Sequence, residues 1–262
     1  MKVLMVGDIV GGAGRLIFAR VVRTLRADGA VHAVVANAEN AAAGNGITRA
    51  LAEELFEAGA DVLTLGDHTW GQKDAEKAFA GEKRLLRPAN FTPECPGAGW
   101  TVVQTALGPL AVLNLIGRVF MPPVDCPFRQ ADAALKAIPG GVATVVDFHA
   151  EATSEKIAMG LHLDGRVAAV AGTHTHVQTS DACVLPGGTG YLTDLGMTGP
   201  TGGVIGREAR PVLRKFITGM PARFDVADGP AVLEGAIFDI DRTTLKCLGA
   251  TALRVREGKA AG

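Results

Sequence analysis

The 262 residues carry 26 basic and 27 acidic side chains, a net charge of −1, so the chain lacks the cationic excess by which a general polyanion binder displaces counterions. Apolar content of 48% against 20% charged excludes wholesale disorder, and the length can bury a full core in one domain or two small ones. No apolar run approaches the roughly 20 residues of a membrane helix, and residues 1–6 are too short a run for a signal peptide, so no membrane partner is expected.

Taken in chain order, apolar runs alternate with amphipathic stretches. Residues 3–6 read as a buried strand that stops at Gly7-Asp8, and 17–25 carry apolar residues at helical spacing. Residues 31–36 form the next expected strand, stopping before Asn37-Ala38-Glu39-Asn40. Thr48 can cap a helix running to about Ala58, with Gly59 as its stop signal. A third strand, 62–65, stops at Gly66-Asp67-His68. This strand–helix rhythm predicts right-handed βαβ units on a mainly parallel sheet.

The middle changes character. Residues 100–106 and 110–116 flank Gly108-Pro109 and read as a hairpin, 129–138 as a helix, and 143–148 as a strand ending at His149. Another strand, 167–171, ends at Gly172-Thr173-His174-Thr175-His176. Residues 231–239 and 244–255 alternate like an antiparallel pair. With no repeat, linker or low-complexity segment, residues 1–262 are expected to form a single domain with a loose tail over the last few residues. A sheet, or two packed sheets, would carry helices on the outside. The 34 glycines predict tight turns and close backbone approaches, the material of loop-built sites. Cys95, Cys126, Cys183 and Cys247 lie far apart without metal-site spacing, which predicts free thiols and a cytoplasmic location.

Ligand-type residues recur just past the strand ends: Asp8, Glu39 with Asn40, Asp67 with His68, His149, and His174 with His176. Loops beyond the carboxyl ends of parallel strands converge on one crevice, so residues scattered along the chain would be gathered in space. Any one of them alone reads as a cap, a turn former or a satisfied core group; five strand ends together point to a site. Carboxylate oxygen mixed with imidazole nitrogen, without thiolate, suits Mn, Fe or Zn. The donors outnumber what one tetrahedral ion uses, and two ions sharing a carboxylate would employ them all.

These residues resemble the ordered motifs of calcineurin-like metallophosphoesterases: Gly7-Asp8, Glu39-Asn40, Gly66-Asp67-His68, His149, and Gly172 through His176. The run Val146-Asp147-Phe148-His149-Ala150-Glu151-Ala152-Thr153-Ser154-Glu155-Lys156 and the block from Gly172 to Gly199-Pro200 are similar to the YmdB-type phosphodiesterase branch. The resemblance covers residues 1 to about 255. It implies a four-layered α/β/β/α sandwich with mixed sheets and a dinuclear site holding iron or manganese, with zinc as a further choice. It also implies a homo-oligomer and hydrolysis of phosphodiesters, including 2′,3′-cyclic nucleotides, by a metal-bridging hydroxide, with RNA as a further substrate class.

By the same resemblance Asp8 and His176 match ligands of one metal, with Asn40 in or near its shell, and Glu39 matches the bridging carboxylate. Asp67, His149 and His174 match ligands of the second metal, and His68 matches the general acid. The branch lacks the histidine that much of the superfamily places two residues after the first aspartate; here Ile9 and Val10 follow Asp8. Asp67 stands where the family generally has asparagine. The added carboxylate should favour a harder ion and make the attacking water less acidic.

Two rival functions share the motifs: a phosphomonoesterase such as a nucleotidase, and a metal-dependent nucleotide- or RNA-binding regulator with negligible turnover. A separate acid histidine argues against the regulator, since binding alone does not require His68. The turn Gly11-Gly12-Ala13-Gly14 begins a helix and is either a phosphate cradle or only a tight turn. Thr153-Ser154 with Glu155 reads as a helix cap, and Lys156, Arg118 and Arg129 read as exposed cations or phosphate contacts.

Overall fold

The computed structural model describes residues 1–258; the last few positions, where a loose tail is expected, lie outside the described residues. The first part holds β1 (Lys2–Val6), β2 (Asp8–Ile9), α1 (Gly11–Ala27), β3 (Ala33–Asn37), α2 (Arg49–Glu57), β4 (Val62–Thr64) and a short α3 (Ala75–Ala78). Then come β5 (Trp100–Thr105), β6 (Gly108–Ile116), α4 (Pro127–Ala137), β7 (Ala143–His149), α5 (Thr153–Leu163) and β8 (Ala169–Thr173). The last part holds β9 (Cys183–Val184), β10 (Gly190–Leu192), β11 (Met197–Pro200), α6 (Ala209–Thr218), β12 (Ala231–Ile240) and β13 (Cys247–Arg256).

Two mixed sheets result. One runs β2-β11-β12-β1-β3-β4, with β13 also pairing β12; the other runs β5-β6-β7-β8-β10-β9. β1, β3 and β4 are mutually parallel, while β12 lies antiparallel to β1, in register from Lys2↔Asp239 to Val6↔Gly235. In the second sheet β6, β7, β8 and β10 are parallel, and β5 and β9 are antiparallel edges.

Alternation along the strands explains the layering, because successive side chains point to opposite faces. Val3 and Met5 of β1 pack with Val112, Val145 and Ala171 between the sheets. Leu4 and Val6 face the other way, onto Phe18, Val22 and Leu55 of α1 and α2. On the second sheet Leu113, Val146 and Phe148 turn outward against Ala131 of α4 and Met159 of α5. Both sheets are thus covered on both faces, giving the expected α/β/β/α sandwich.

Local signals hold in most places. Thr48 Oγ1 accepts from Leu51 N at 3.3 Å and caps α2. The hairpin and the β12–β13 pair form as predicted. Two readings need correction, at α5 and at Lys156. α1 begins at Gly11, in the glycine-rich turn expected to open a helix, and a Cβ on Gly14 would collide with the Thr198 carbonyl of β11. The Gly11–Gly14 run therefore packs a helix against a strand, and of its residues Gly12 lines the cavity beside His68. α5 has no side-chain cap; its Glu155 instead turns inward and accepts from the backbone N–H groups of Arg118 and Val119. Lys156 is buried rather than exposed, whereas Arg118 and Arg129 are exposed.

Candidate metal centre

The site lies at the carboxyl ends of the parallel strands, where both sheets open toward the same side. From the first sheet, Asp8 follows β1, Glu39 and Asn40 follow β3, and Asp67 and His68 follow β4. From the second, His149 ends β7, and His174 and His176 follow β8. All eight residues meet in one cluster, as strand-end placement predicts. His32 and His162 stand apart, the first accepting from Lys2 N and the second paired with Asp132.

Donor atoms of Glu39, Asp67, His149 and His174 all lie within 4.8 Å of one another. His149 Nε2 is 3.0 Å from Asp67 Oδ1, 3.3 Å from Glu39 Oε1 and 3.0 Å from His174 Nδ1. Beside this group, His176 Nε2 is 3.6 Å from Asp8 Oδ1 and 3.3 Å from Asn40 Nδ2. Glu39 links the two halves, since Oε1 also accepts from Asn40 Nδ2 at 3.2 Å. The backbone of Gly66 makes this approach possible, because a Cβ there would overlap both the His149 ring and the Glu39 carboxylate.

Each buried imidazole is oriented by its far nitrogen. His176 Nδ1 donates to Ile205 O at 3.0 Å, which leaves Nε2 as the free acceptor facing Asp8. His149 Nδ1 meets Thr173 Oγ1 at 2.9 Å, and that hydroxyl donates to Asp147 Oδ1 at 2.7 Å. Asp147 also accepts from Thr64 Oγ1 and Asn37 Nδ2, so it ties the ends of β3 and β4 to those of β7 and β8. Burial pushes its carboxyl up to about 6. His174 differs: its Nε2 is 3.1 Å from Glu151 Oε2, leaving Nδ1 toward the cluster. Thr173, Asp147 and Glu151 fall inside the quoted motifs, yet the sequence carries no sign of what their side chains touch.

The charges show what the cluster lacks. Burial works to raise the Asp8 carboxyl, but the charge of His176 and His149 holds it well below the usual carboxylate range. Glu39 is brought down to about 2 despite its burial, through His149 and His68. Asp67 is likewise held low against burial, by hydrogen bonds with His149 and His174. Three carboxylates therefore stay ionised around imidazoles, and Asp8 Oδ1 is buried with no hydrogen-bond partner. An orphaned buried anion among oriented imidazole nitrogens is a donor set that fits divalent cations.

His68 stands apart from the other histidines. Its side chain is 37% exposed, against 0% for His149 and 10% for His176. Nδ1 lies 2.8 Å from Asn40 Oδ1 and 3.4 Å from Glu39 Oε1. The Glu39 hydrogen bond raises its pKa above the ordinary value against the opposing effect of burial.

The family described as YmdB-like protein matches residues 4–253. A Bacillus subtilis (strain 168) relative named 2′,3′-cyclic-nucleotide 2′-phosphodiesterase is 45% identical over 249 residues, 95% of this chain and 94% of its own. The solved structure of a hypothetical protein from Thermus thermophilus is 37% identical with a TM-score of 0.92, covering 98% of this chain and 100% of that one. That of a novel phosphatase from Mycoplasma pneumoniae is 35% identical with a TM-score of 0.92, covering 98% and 93%. Sequence, fold and converging donors agree: the chain belongs to the YmdB-like protein family.

Proposed function

We propose that this protein is a metal-dependent phosphodiesterase acting on 2′,3′-cyclic nucleotides and related diesters. The observation that carries the proposal is His68, a histidine at the rim of the donor cluster that lines a cavity while the ligand-type histidines sit deeper. The relative named as a 2′,3′-cyclic-nucleotide 2′-phosphodiesterase supports the substrate class.

In this proposal Asp8, Asn40 and His176 hold one ion, Asp67, His149 and His174 hold the other, and Glu39 is shared. When bound, two cations draw charge from the phosphoryl oxygens and acidify a water molecule enough for attack near neutral pH. Asn40 accepts from His68 Nδ1 and fixes the ring, which leaves Nε2 to carry the proton delivered to the departing ester oxygen. The phosphorus–oxygen bond to that group breaks as water adds; a linear diester gives a monoester and an alcohol, and a 2′,3′-cyclic nucleotide opens to one nucleoside monophosphate with a free hydroxyl. Oxygen and imidazole donors without thiolate support iron or manganese, with zinc as a further choice.

Four free cysteines support a cytoplasmic location, and no helix of the described residues is long and apolar enough to cross a membrane. Leu213, Phe216 and Ile217, exposed on α6, support self-association into a homo-oligomer. Metal analysis beside a panel of cyclic nucleotides, mononucleotides and short RNA tests the proposal. Two ions per chain and chelator-sensitive opening of cyclic nucleotides are expected. Phosphate release from mononucleotides with no turnover of diesters would assign a phosphomonoesterase instead.

A further inference from the structure

Two cavities meet at the Asp67–His68 dipeptide, and their linings differ in character. The first encloses about 620 Å³ and is lined by His68 with Asn45, Gln72 and Arg207. The second encloses about 520 Å³ and is lined by Asp67 with Trp70, Phe91, Pro122 and Val124. A phosphomonoester carries one organic group and needs one such space; a linear diester carries two, whereas a 2′,3′-cyclic nucleotide holds both ester oxygens on one ribose. The acid delivers its proton to the departing group, so that group belongs on the His68 side. The group retained on phosphorus is left with the Asp67 side.

The Asp67 side presents an aromatic wall. Trp70 is 38% exposed although it is a large apolar residue next to the reacting centre. Its ring packs against Phe79, outside the lining, at 5.5 Å and beside Phe91, in the same lining, at 6.2 Å between centroids, both tilted. A partly exposed indole packed against two phenyl rings offers a flat apolar surface at little conformational cost. Thr92 and Asp125 stand in the same lining and supply polar partners for ring edges. Flat faces with polar edges describe a nucleobase, and stacking accepts any of the four.

We propose that the Trp70 cavity is a nucleobase subsite, which holds the nucleoside retained on phosphorus while, in a linear diester, a second group departs into the His68 cavity. This rests on the phosphodiesterase proposal and narrows its substrate class to diesters with a nucleoside on the retained side. Linear dinucleotide linkages then fill both cavities, whereas a 2′,3′-cyclic nucleotide, whose departing oxygen stays on the same ribose, uses the Trp70 cavity alone.

Two substrates with one leaving group isolate the subsite: thymidine 5′-(4-nitrophenyl) phosphate and methyl 4-nitrophenyl phosphate, assayed with the manganese-loaded full chain. The thymidine ester is expected to be favoured in kcat/KM by about tenfold or more, the size that one stacked base supports. Trp70→Ala is expected to remove that preference by raising KM for the thymidine ester, so that the two esters become equal in that variant, and Trp70→Phe to retain most of it. Binding supplies a readout without turnover. In a Trp100→Phe protein, where Trp70 is the remaining tryptophan, thymidine 5′-monophosphate should quench emission saturably and inorganic phosphate should not. If Trp70→Ala fails to fold, this titration decides alone. Equal kcat/KM for the two esters, or no quenching, overturns the subsite while leaving a phosphodiesterase. No hydrolysis of either ester by metal-loaded protein overturns the function beneath it.

Discussion

Lys156 Nζ lies 2.6 Å from Asp194 Oδ2, and both side chains are only 1% exposed. The same carboxylate accepts from Thr175 N at 3.2 Å and Thr175 Oγ1 at 2.7 Å, and its other oxygen accepts from Gly196 N at 2.8 Å. Thr175 separates His174 and His176, whose φ angles of 101° and 63° lie in the left-handed region that side chains rarely adopt. Such backbone persists only when its surroundings hold it. The buried pair supplies that hold, and Gly172 makes room for it, since a Cβ there would strike the Lys156 stem and the Thr193 carbonyl.

Lys156→Met should therefore act on the metal site from a distance. Leaving Asp194 buried without its cation is expected to cost about 3–5 kcal/mol of stability. Freeing the histidine loop is expected to weaken metal affinity by roughly 10–100-fold. Denaturant melts and a competitive metal titration measure the two separately. A destabilised variant with unchanged metal affinity would confine Lys156 to the fold.

The strand ends were legible because each apolar run stops at a polar cluster, and apolar run lengths need no knowledge of neighbours. Lys156 was not legible. An isolated lysine belongs in solvent by its hydration, and its partner stands 38 residues away on a different loop. Sheet membership was hidden too, since Lys2↔Asp239 pairing depends on both sheets closing around the shared core. Of the candidate site, residue types past strand ends could be read directly. The hydrogen bonds from Thr173, Glu151 and Asp147 depend on side-chain directions that only the assembled fold defines.

Asp67 adds a negative charge that asparagine at the same place would not. Its Oδ1 touches both His149 and His174, at 3.0 and 3.3 Å, so Asp67→Asn keeps the shape and removes the charge. Less negative charge leaves the bound cations more acidifying. The rising limb of the pH–rate profile is then expected to move down by roughly one unit. Metal content should shift toward ions that tolerate a weaker anionic set. Parallel pH profiles and metal analyses check this; identical curves and identical content would mean that neighbouring groups absorb the change.

Metal-free and metal-loaded protein should respond to pH in opposite directions. Burial opposes the charge on His149 and His176, but the carboxylates of Glu39 and Asp8 outweigh it and raise both above the ordinary 6.5. Stability from a raised group is complete below 6.5 and is lost as pH rises through the raised value. Glu39, lowered to about 2, contributes above 4.5 and loses that contribution as pH falls toward 2. The chelated protein is thus expected to be most stable between 4.5 and 6.5. Cations require neutral imidazole, so binding expels these protons and the gain in Tm from manganese should widen from about pH 5 to about pH 8. Thermal melts with and without chelator measure the gap, and a constant gap would uncouple these histidines from the metals.

His68 can be separated from the ligands by the leaving group. In the proposed role of proton donor it would touch the departing oxygen and leave the ions in place, so His68→Ala should retain full metal content. Toward a 2′,3′-cyclic nucleotide, whose sugar alkoxide departs poorly without a proton, the loss in kcat is expected to be ~10²–10⁴-fold. Toward a nitrophenyl diester the loss should be much smaller, because nitrophenolate departs unprotonated. His174→Ala removes a donor whose Nδ1 lies 3.0 Å from His149 Nε2, and it should lower metal content and depress both substrates alike. Activity on both esters and metal content, measured for both variants, make the comparison. Equal losses on the two substrates in His68→Ala, or loss of metal from it, would move His68 from proton donor to ligand.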